Sequence, residues 1–376
     1  MESTEYLVVG AGLAGAATAW HLARQGYEVQ VVERDRPASA EGSSHGSARI
    51  FRFAYTDELY VRLAQRAKTG WDELSELAGQ ELVSSCGAVD YGEVRDPVQL
   101  ADVLQRCGVE HELFSAEEAC QRWPQFAFDT PVLWQPGAGV IDAESAVLAM
   151  LAQAQLHGAQ LHTGWTLERL ERSTDGFVAT SVAGQQITAR RVIIAAGGWL
   201  PYLLPGLPLP EHFRAALPEF QVRQEQAYHF RFRDPQQQWP TFIHLRSGWE
   251  CYGLPGGRDS GFAGLKVAEF NGGKIIPSAA AQDGIVDPGN RAAVIDYVAQ
   301  NIPGVEPVPY AETTCLFTNT PTEDFVIDEV DGLTILSACS GHGAKFAPVL
   351  GELAAAVASG TGNTHKQFRP SRSAGS

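Results

Sequence analysis

Three glycines, Gly10, Gly12 and Gly15, sit between an apolar run and a run of small residues, and no other feature narrows the fold as far. Tyr6-Leu7-Val8-Val9 reads as a strand leading into this turn. Leu13 to Gln25 has helical spacing, with Ala14, Gly15, Ala16 and Ala17 toward the strand, and Glu28 to Glu33 reads as a second strand. A strand, glycine turn, helix and strand ending in an acid about 20 residues on is the arrangement that holds an adenine dinucleotide. The turn lets backbone approach a pyrophosphate, the helix N-terminus faces its charge, and Glu33 takes the ribose hydroxyls. The same carboxylate repels a 2′-phosphate, which argues against NADP. A turn that only lets helix and strand pack closely accounts for Gly15 but not for all three glycines.

The rest of the chain sets limits on what is built around that unit. With 376 residues, 44% of them hydrophobic, it can bury a large core and is too long for one compact layer, so two domains or one large composite are expected. A formal net charge of −16 disfavours nucleic acid and acidic membranes as partners, and an anionic substrate would need local cations to capture it. No apolar run is long enough to span a bilayer, and the start Met1-Glu2-Ser3-Thr4-Glu5 is acidic, so a soluble, cytoplasmic protein is expected. Cys86, Cys107, Cys120, Cys251, Cys315 and Cys339 are scattered with no Cys-x-x-Cys pair, so neither a metal site nor a dithiol centre is indicated. Each alone reads as a small buried hydrophobe. Cys315 stands out only through its setting, Thr313-Thr314-Cys315-Leu316-Phe317-Thr318-Asn319-Thr320-Pro321.

After a Ser/Gly-rich loop at 38–47, residues 57–77 have amphipathic helical spacing, 86–92 reads as a strand, and Asp142 caps a helix running to His157. Arg191 to Gly198 is a buried strand ending in small residues. From Val222 to Lys266 the pattern becomes alternating β segments (228–232, 250–254, 264–269), broken by Asp234-Pro235 and Pro255-Gly256-Gly257. A buried strand at 333–337 and a helix ending at Gly360 then return to the nucleotide-binding pattern. The fold expected is an α/β (α+β composite) architecture, with a Rossmann-like FAD-binding domain interleaved with an antiparallel β-sheet substrate domain. The FAD-binding domain is expected at 1–82, 138–216 and 316–376, the substrate domain at 83–137 and 217–315, and a loosely ordered tail at 361–376.

Several ordered segments resemble one family, the monomeric sarcosine oxidase and N-methyltryptophan oxidase group of D-amino-acid oxidase-like FAD-dependent amine oxidases. They are Gly10 to Gly15, His45-Gly46-Ser47-Ala48-Arg49-Ile50-Phe51-Arg52, Leu265-Lys266 with Asn271-Gly272-Gly273, Cys315 through Asp328, and Ser340-Gly341-His342-Gly343-Ala344-Lys345-Phe346. The resemblance runs nearly end to end. It implies FAD attached covalently through Cys315, as a thioether to the 8-methyl carbon of the ring. It implies Lys266 as the group that activates dioxygen, where a fixed cation stabilises superoxide. It implies Arg52 and Lys345 as the clamp on a substrate carboxylate, a planar fork and a point charge. Arg49 and His45 would lie near the ring, and Tyr252 matches a pocket tyrosine. Cofactor contacts are expected from Gly10, Gly12, Gly15, Glu33, Arg34, Ser44, His45, Arg49, Gly341, His342, Gly343 and Lys345.

The chain departs from the family pattern at three places. Phe53 stands where a histidine follows the arginine pair, Phe270 where a histidine stands four residues after the lysine, and Phe317 where the sarcosine enzyme has a tyrosine. A pocket lined by Phe270 and Phe317 is drier, so a larger or more apolar substrate than sarcosine is expected. The activity implied is oxidation of a secondary-amine amino acid, N-methyl or cyclic, with hydride passing to flavin N5 to give an imine. Dioxygen then takes the electrons as hydrogen peroxide. A dehydrogenase, a tailoring enzyme for a biosynthetic amine intermediate and an oxidase of a sugar-amine substrate stay open as alternatives. The expected partners are a small amine carrying a carboxylate and molecular oxygen, with the protein a monomer.

Overall fold

The computed structural model describes residues 2–370. Its first sheet is eight-stranded among the described residues. The strand Glu2–Val9 pairs in parallel with Val29–Val32 on one side and with Gln186–Ile194 on the other, in registers Val9↔Val32 and Leu7↔Val192. Gln160–His162 and Leu333–Ser337 extend the parallel ladder at its two ends. Tyr6 and Val8 join a core with the helices Leu13–Arg24, Glu58–Ala78, Ala143–Leu156 and Ala347–Ser359, while Leu7 and Val9 join a second core on the other face. Burial on both faces is what a parallel sheet of near-continuous apolar strands requires.

The glycine turn works by close approach. A Cβ on Gly15 would lie 1.9 Å from the carbonyl oxygen of Gly10, and Gly10 itself has φ +104°, so neither position accepts a side chain. Asp142 caps its helix through Ser145 N, as expected, and Asp57 caps another through Leu59 N.

The second sheet has nine strands among the described residues and is built around the long strands Gln221–Phe232 and Val305–Asn319. It is mixed, not wholly antiparallel, because Thr241–Arg246 runs parallel to Ala88–Tyr91. Alternation divides the residues of Gln221–Phe232 between two faces. Tyr228 and Phe230 pack against Val294 and Val298 of the helix Pro288–Asn301, and Tyr228 donates to Asn290 Oδ1 at 2.9 Å. Glu225 and His229 point to the opposite face.

Two expectations about boundaries change. The strand Val305–Asn319 runs unbroken across 315/316, and Asn319 still pairs with Gln221, so residues 316–319 belong to the second sheet. The tail is packed as far as it is described. Phe368 is fully buried, 5.3 Å from the Phe325 ring, and Arg369 pairs with the buried Asp328 at 3.1 Å. An aromatic ring and an ion pair inside the core hold this segment, contrary to the loose tail read from composition; residues 371–376 lie outside the described residues.

Candidate active site

A cleft of about 400 Å³ runs along the C-terminal ends of the parallel strands. Glu33 and Arg34 line one end, Gly10, Gly12 and Ser44 its middle, and Arg49, Phe317, Gly341 and Gly343 the other end. Glu33 accepts from Ala11 N at 2.8 Å, which sets its carboxylate at the mouth of the turn, and Ser44 Oγ accepts from Leu13 N at 3.0 Å. The Arg34 guanidinium lies 4.4 Å over the Trp199 ring and pairs with Glu41 at 3.3 Å. Bare backbone at a helix N-terminus, with a carboxylate beyond it, matches the pyrophosphate and ribose of FAD. The residues present therefore fit that cofactor.

Beyond the Arg49 end of the cleft, one face of the second sheet gathers several titratable side chains. His229 pairs across strands with Lys266, Leu254 with Lys266, Tyr252 with Ala268, and Glu225 with Cys315. Directly paired residues share a face, so Glu225, His229, Tyr252, Lys266 and Cys315 look the same way. Lys266 is 5% exposed and makes no hydrogen bond or ion pair among the described residues. Burial first, then the charge of Arg49, pulls its ammonium down to about 8. Cys315 is partly exposed; burial pushes its thiol up, while Lys266 and Arg49 act the other way.

Arg49 donates to the carbonyls of Ser43, His45 and Ala48, which fastens the 43–48 loop beside the cleft. His45 donates through Nδ1 to Gly42 O at 2.7 Å, and burial, followed by Arg49, lowers its imidazole to about 4, so it is neutral at pH 7. Gly341 has φ +67°, and a Cβ there would lie 2.5 Å from the Phe270 ring and 2.9 Å from Phe317. The two rings are 5.6 Å apart and leave room only for glycine.

Arg52 and Lys345 meet at Tyr55. The Arg52 guanidinium lies 4.6 Å over the Tyr55 ring and donates to Ala54 O. Lys345, 4% exposed, donates to the Tyr55 hydroxyl at 3.0 Å and to His342 O at 2.8 Å. His342 Nε2 faces the Glu323 carbonyl at 3.0 Å and must donate there, so Nδ1 accepts from the Tyr55 hydroxyl at 3.0 Å. Neither cation has an ion-pair partner among the described residues. Burial, then Arg52 and Arg95, hold the Lys345 amine well below its usual range. A buried amine and a half-buried guanidinium, neither with an anionic partner, are a pairing suited to receiving one.

A family model described as FAD dependent oxidoreductase matches residues 5–357. The chain belongs to this family. It is 32% identical to the monomeric sarcosine oxidase of Streptomyces avermitilis, over 94% of this chain and 93% of that protein. It is 29% identical to the N-methyl-L-tryptophan oxidase of Yersinia pestis, over 94% of each chain. Among solved structures, NikD, an amino acid oxidase essential for nikkomycin biosynthesis, superposes with a TM-score of 0.85 at 23% identity over 98% of both chains. The L-proline dehydrogenase of P. horikoshii superposes with a TM-score of 0.85 at 21% identity over 99% of this chain and 98% of that one. These two likenesses concern the fold.

Within this flavoenzyme, several site residues escaped sequence reading. Tyr55 organises both cations, and its only signal was its place three residues after Arg52. Asp90, fully buried, pairs with Arg95 at 2.6 Å and accepts from Gln135 Nε2 at 2.6 Å. Gln135 Oε1 in turn accepts from Phe53 N and Ala54 N at 2.8 Å, so this network sets the backbone that carries Arg52. Cys339, read as a buried hydrophobe, lines the cleft, whereas Cys315 is not among its walls and sits on the adjoining sheet face. His342, expected as a cofactor contact, also orients Tyr55 through its ring.

Proposed function

We propose that the protein is an FAD-dependent oxidase of secondary-amine amino acids, larger or more apolar than sarcosine, acting in the cytoplasm as a monomer. The observation that carries this reading is the Arg52–Lys345 pair around Tyr55, the amine buried and the guanidinium half-buried, neither ion-paired, which suits a carboxylate beside the cleft. The names of the two curated relatives, a sarcosine oxidase and an N-methyl-L-tryptophan oxidase, point the same way. The two sheets support a division into an FAD-holding and a substrate-holding domain, interleaved along the chain.

FAD held along Gly10, Gly12, Glu33 and Ser44 would supply the acceptor for a hydride from the carbon beside the amine nitrogen and the route for two electrons to dioxygen. The protein supplies position and charge. Arg52 and Lys345 grip the carboxylate and fix the amine's place, with Tyr55 setting the direction of the Lys345 ammonium. Phe53, Phe270 and Phe317 keep water from the pocket. Lys266 holds a proton at Nζ where negative charge develops on dioxygen. Cys315 tethers the cofactor through its sulfur. The imine product then hydrolyses.

Peroxide release should be followed with a panel of N-methyl and cyclic amino acids, their primary-amine counterparts and their carboxamides. Activity confined to secondary amines bearing a carboxylate is expected; equal activity with the carboxamides would sink the reading. Acid precipitation should leave the yellow colour in the pellet of wild-type protein and in the supernatant of Cys315→Ala.

A further inference from the structure

The strand partner of Cys315 is an acid that the redox chemistry above does not use. Glu225 is 1% exposed, and it faces Cys315 directly across the antiparallel pair Gln221–Phe232 and Val305–Asn319. One carboxylate oxygen, Oε2, accepts from Gly273 N at 3.0 Å. The other, Oε1, is buried with no hydrogen-bond partner. A carboxylate oxygen removed from water and left unpaired is costly, and such groups call for a reason. Directly opposed residues hold their Cβ atoms about 5 Å apart and share one face of the sheet, and the Cys315 thiol feels the Glu225 charge.

We infer that Glu225 is the proton acceptor that prepares Cys315 for attachment to the cofactor, an inference that rests on the tether proposed above. In this step the Cys315 S–H proton passes to Glu225, and the sulfur forms a bond to the 8-methyl carbon of FAD, which gives up one C–H. The two electrons released leave through the ring to dioxygen, the named acceptor. Thiol, methyl group and dioxygen thus become thioether and hydrogen peroxide, with every atom accounted for.

The charges around the pair suit that exchange. Burial is the largest influence on the Glu225 carboxyl and raises it to about 7, with Glu269 adding to the rise and Arg223 and the Gly273 N–H opposing it. The acid is therefore near half-ionised at neutral pH, where a proton acceptor is most effective. Tyr252 feels both Glu225 and Cys315, and burial holds its hydroxyl protonated. Lys266 and Arg49 supply positive charge that favours the thiolate. When Glu225 is ionised, the pair carries one negative charge, which moves from carboxylate to sulfur as the proton crosses.

The test follows attachment itself, not turnover. Full-length protein is made in riboflavin-limited cells and mixed with FAD in air, and covalent flavin is read by in-gel fluorescence after denaturation, from pH 5.5 to 8.5. Wild-type attachment should quicken as pH rises through about 7. Glu225→Gln, which keeps the acceptor for Gly273 N, should attach about 10²-fold more slowly and lose that step, with FAD affinity by fluorescence quenching unchanged. Glu225→Asp should recover part of the rate. Attachment by Glu225→Gln at the wild-type rate or faster overturns the role, since removing a neighbouring negative charge alone would favour the thiolate. Wild-type protein that never binds flavin covalently would overturn the tether instead.

Discussion

His229 lies directly across an antiparallel strand pair from Lys266, and burial keeps the imidazole neutral beside the ammonium. Lys266, without a bonded acid, is held down to about 8, so its charge is lost within an accessible pH range. Lys266 is protonated below that value and neutral above it. The reaction of the reduced enzyme with dioxygen should therefore slow as pH rises through about 8. Lys266→Met should remove this dependence and slow reoxidation by about 10² or more, leaving anaerobic reduction by substrate far less affected. Stopped-flow traces of each half-reaction decide it; equal slowing of both would reject the role.

A carboxylate bound at Arg52 and Lys345 should bring a proton with it. In the free protein the Lys345 amine is held low by burial, Arg52 and Arg95, and an anion beside it restores the charged form. Affinity for a carboxylate inhibitor should fall as pH rises. Calorimetry in buffers of different ionisation enthalpy should register proton uptake, and Lys345→Met should abolish it while weakening binding by about 2 kcal/mol.

Phe270 and Phe317 flank Gly341, and the proposed function places them against the substrate. Phe270→His or Phe317→Tyr should shift preference toward small, polar secondary amines. The ratio of kcat/KM for a bulky apolar substrate over sarcosine should drop roughly tenfold or more. An unchanged ratio would place these rings outside the substrate's reach.

Acid should destabilise the fold through its histidines. Burial lowers His21 to about 3 and His229 and His244 to about 4, each below an ordinary value of 6.5. A neutral histidine with a depressed folded pKa contributes stability that is whole above 6.5 and lost as pH falls toward the folded value, by about 1.4 kcal/mol per pH unit for each group. Glu225, raised to about 7, acts in the opposite sense and costs stability as pH rises through that value. Denaturant midpoints should therefore decline steeply between pH 6.5 and 4. His21→Leu should flatten that slope by about one proton.

The glycine turn, Glu33 and the parallel strands were legible because each is set by neighbours in sequence: a close approach, an apolar alternation, a cap. Arg52, Lys266 and Lys345 were legible only through the resemblance of their flanking motifs. What stayed hidden depends on long-range closure. Asp90 reaches Phe53 N only through Gln135, and Glu225 meets Cys315 only after two long strands take up their register. A single acid in an alternating strand carries no mark of the residue that will face it. The tail was misread for a related reason, since Phe368 and Arg369 are one aromatic and one charge in a polar stretch until Phe325 and Asp328 receive them.

The most direct measurement is anaerobic mixing of the flavin-loaded protein with an apolar N-methyl amino acid and, separately, with its methyl ester. The acid should bleach the flavin in a single exponential that saturates with concentration, and the ester, offering nothing to Arg52 and Lys345, should do so at least about 10²-fold less efficiently. Equal bleaching by the ester, or none by any secondary amine carrying a carboxylate, would contradict the proposed function.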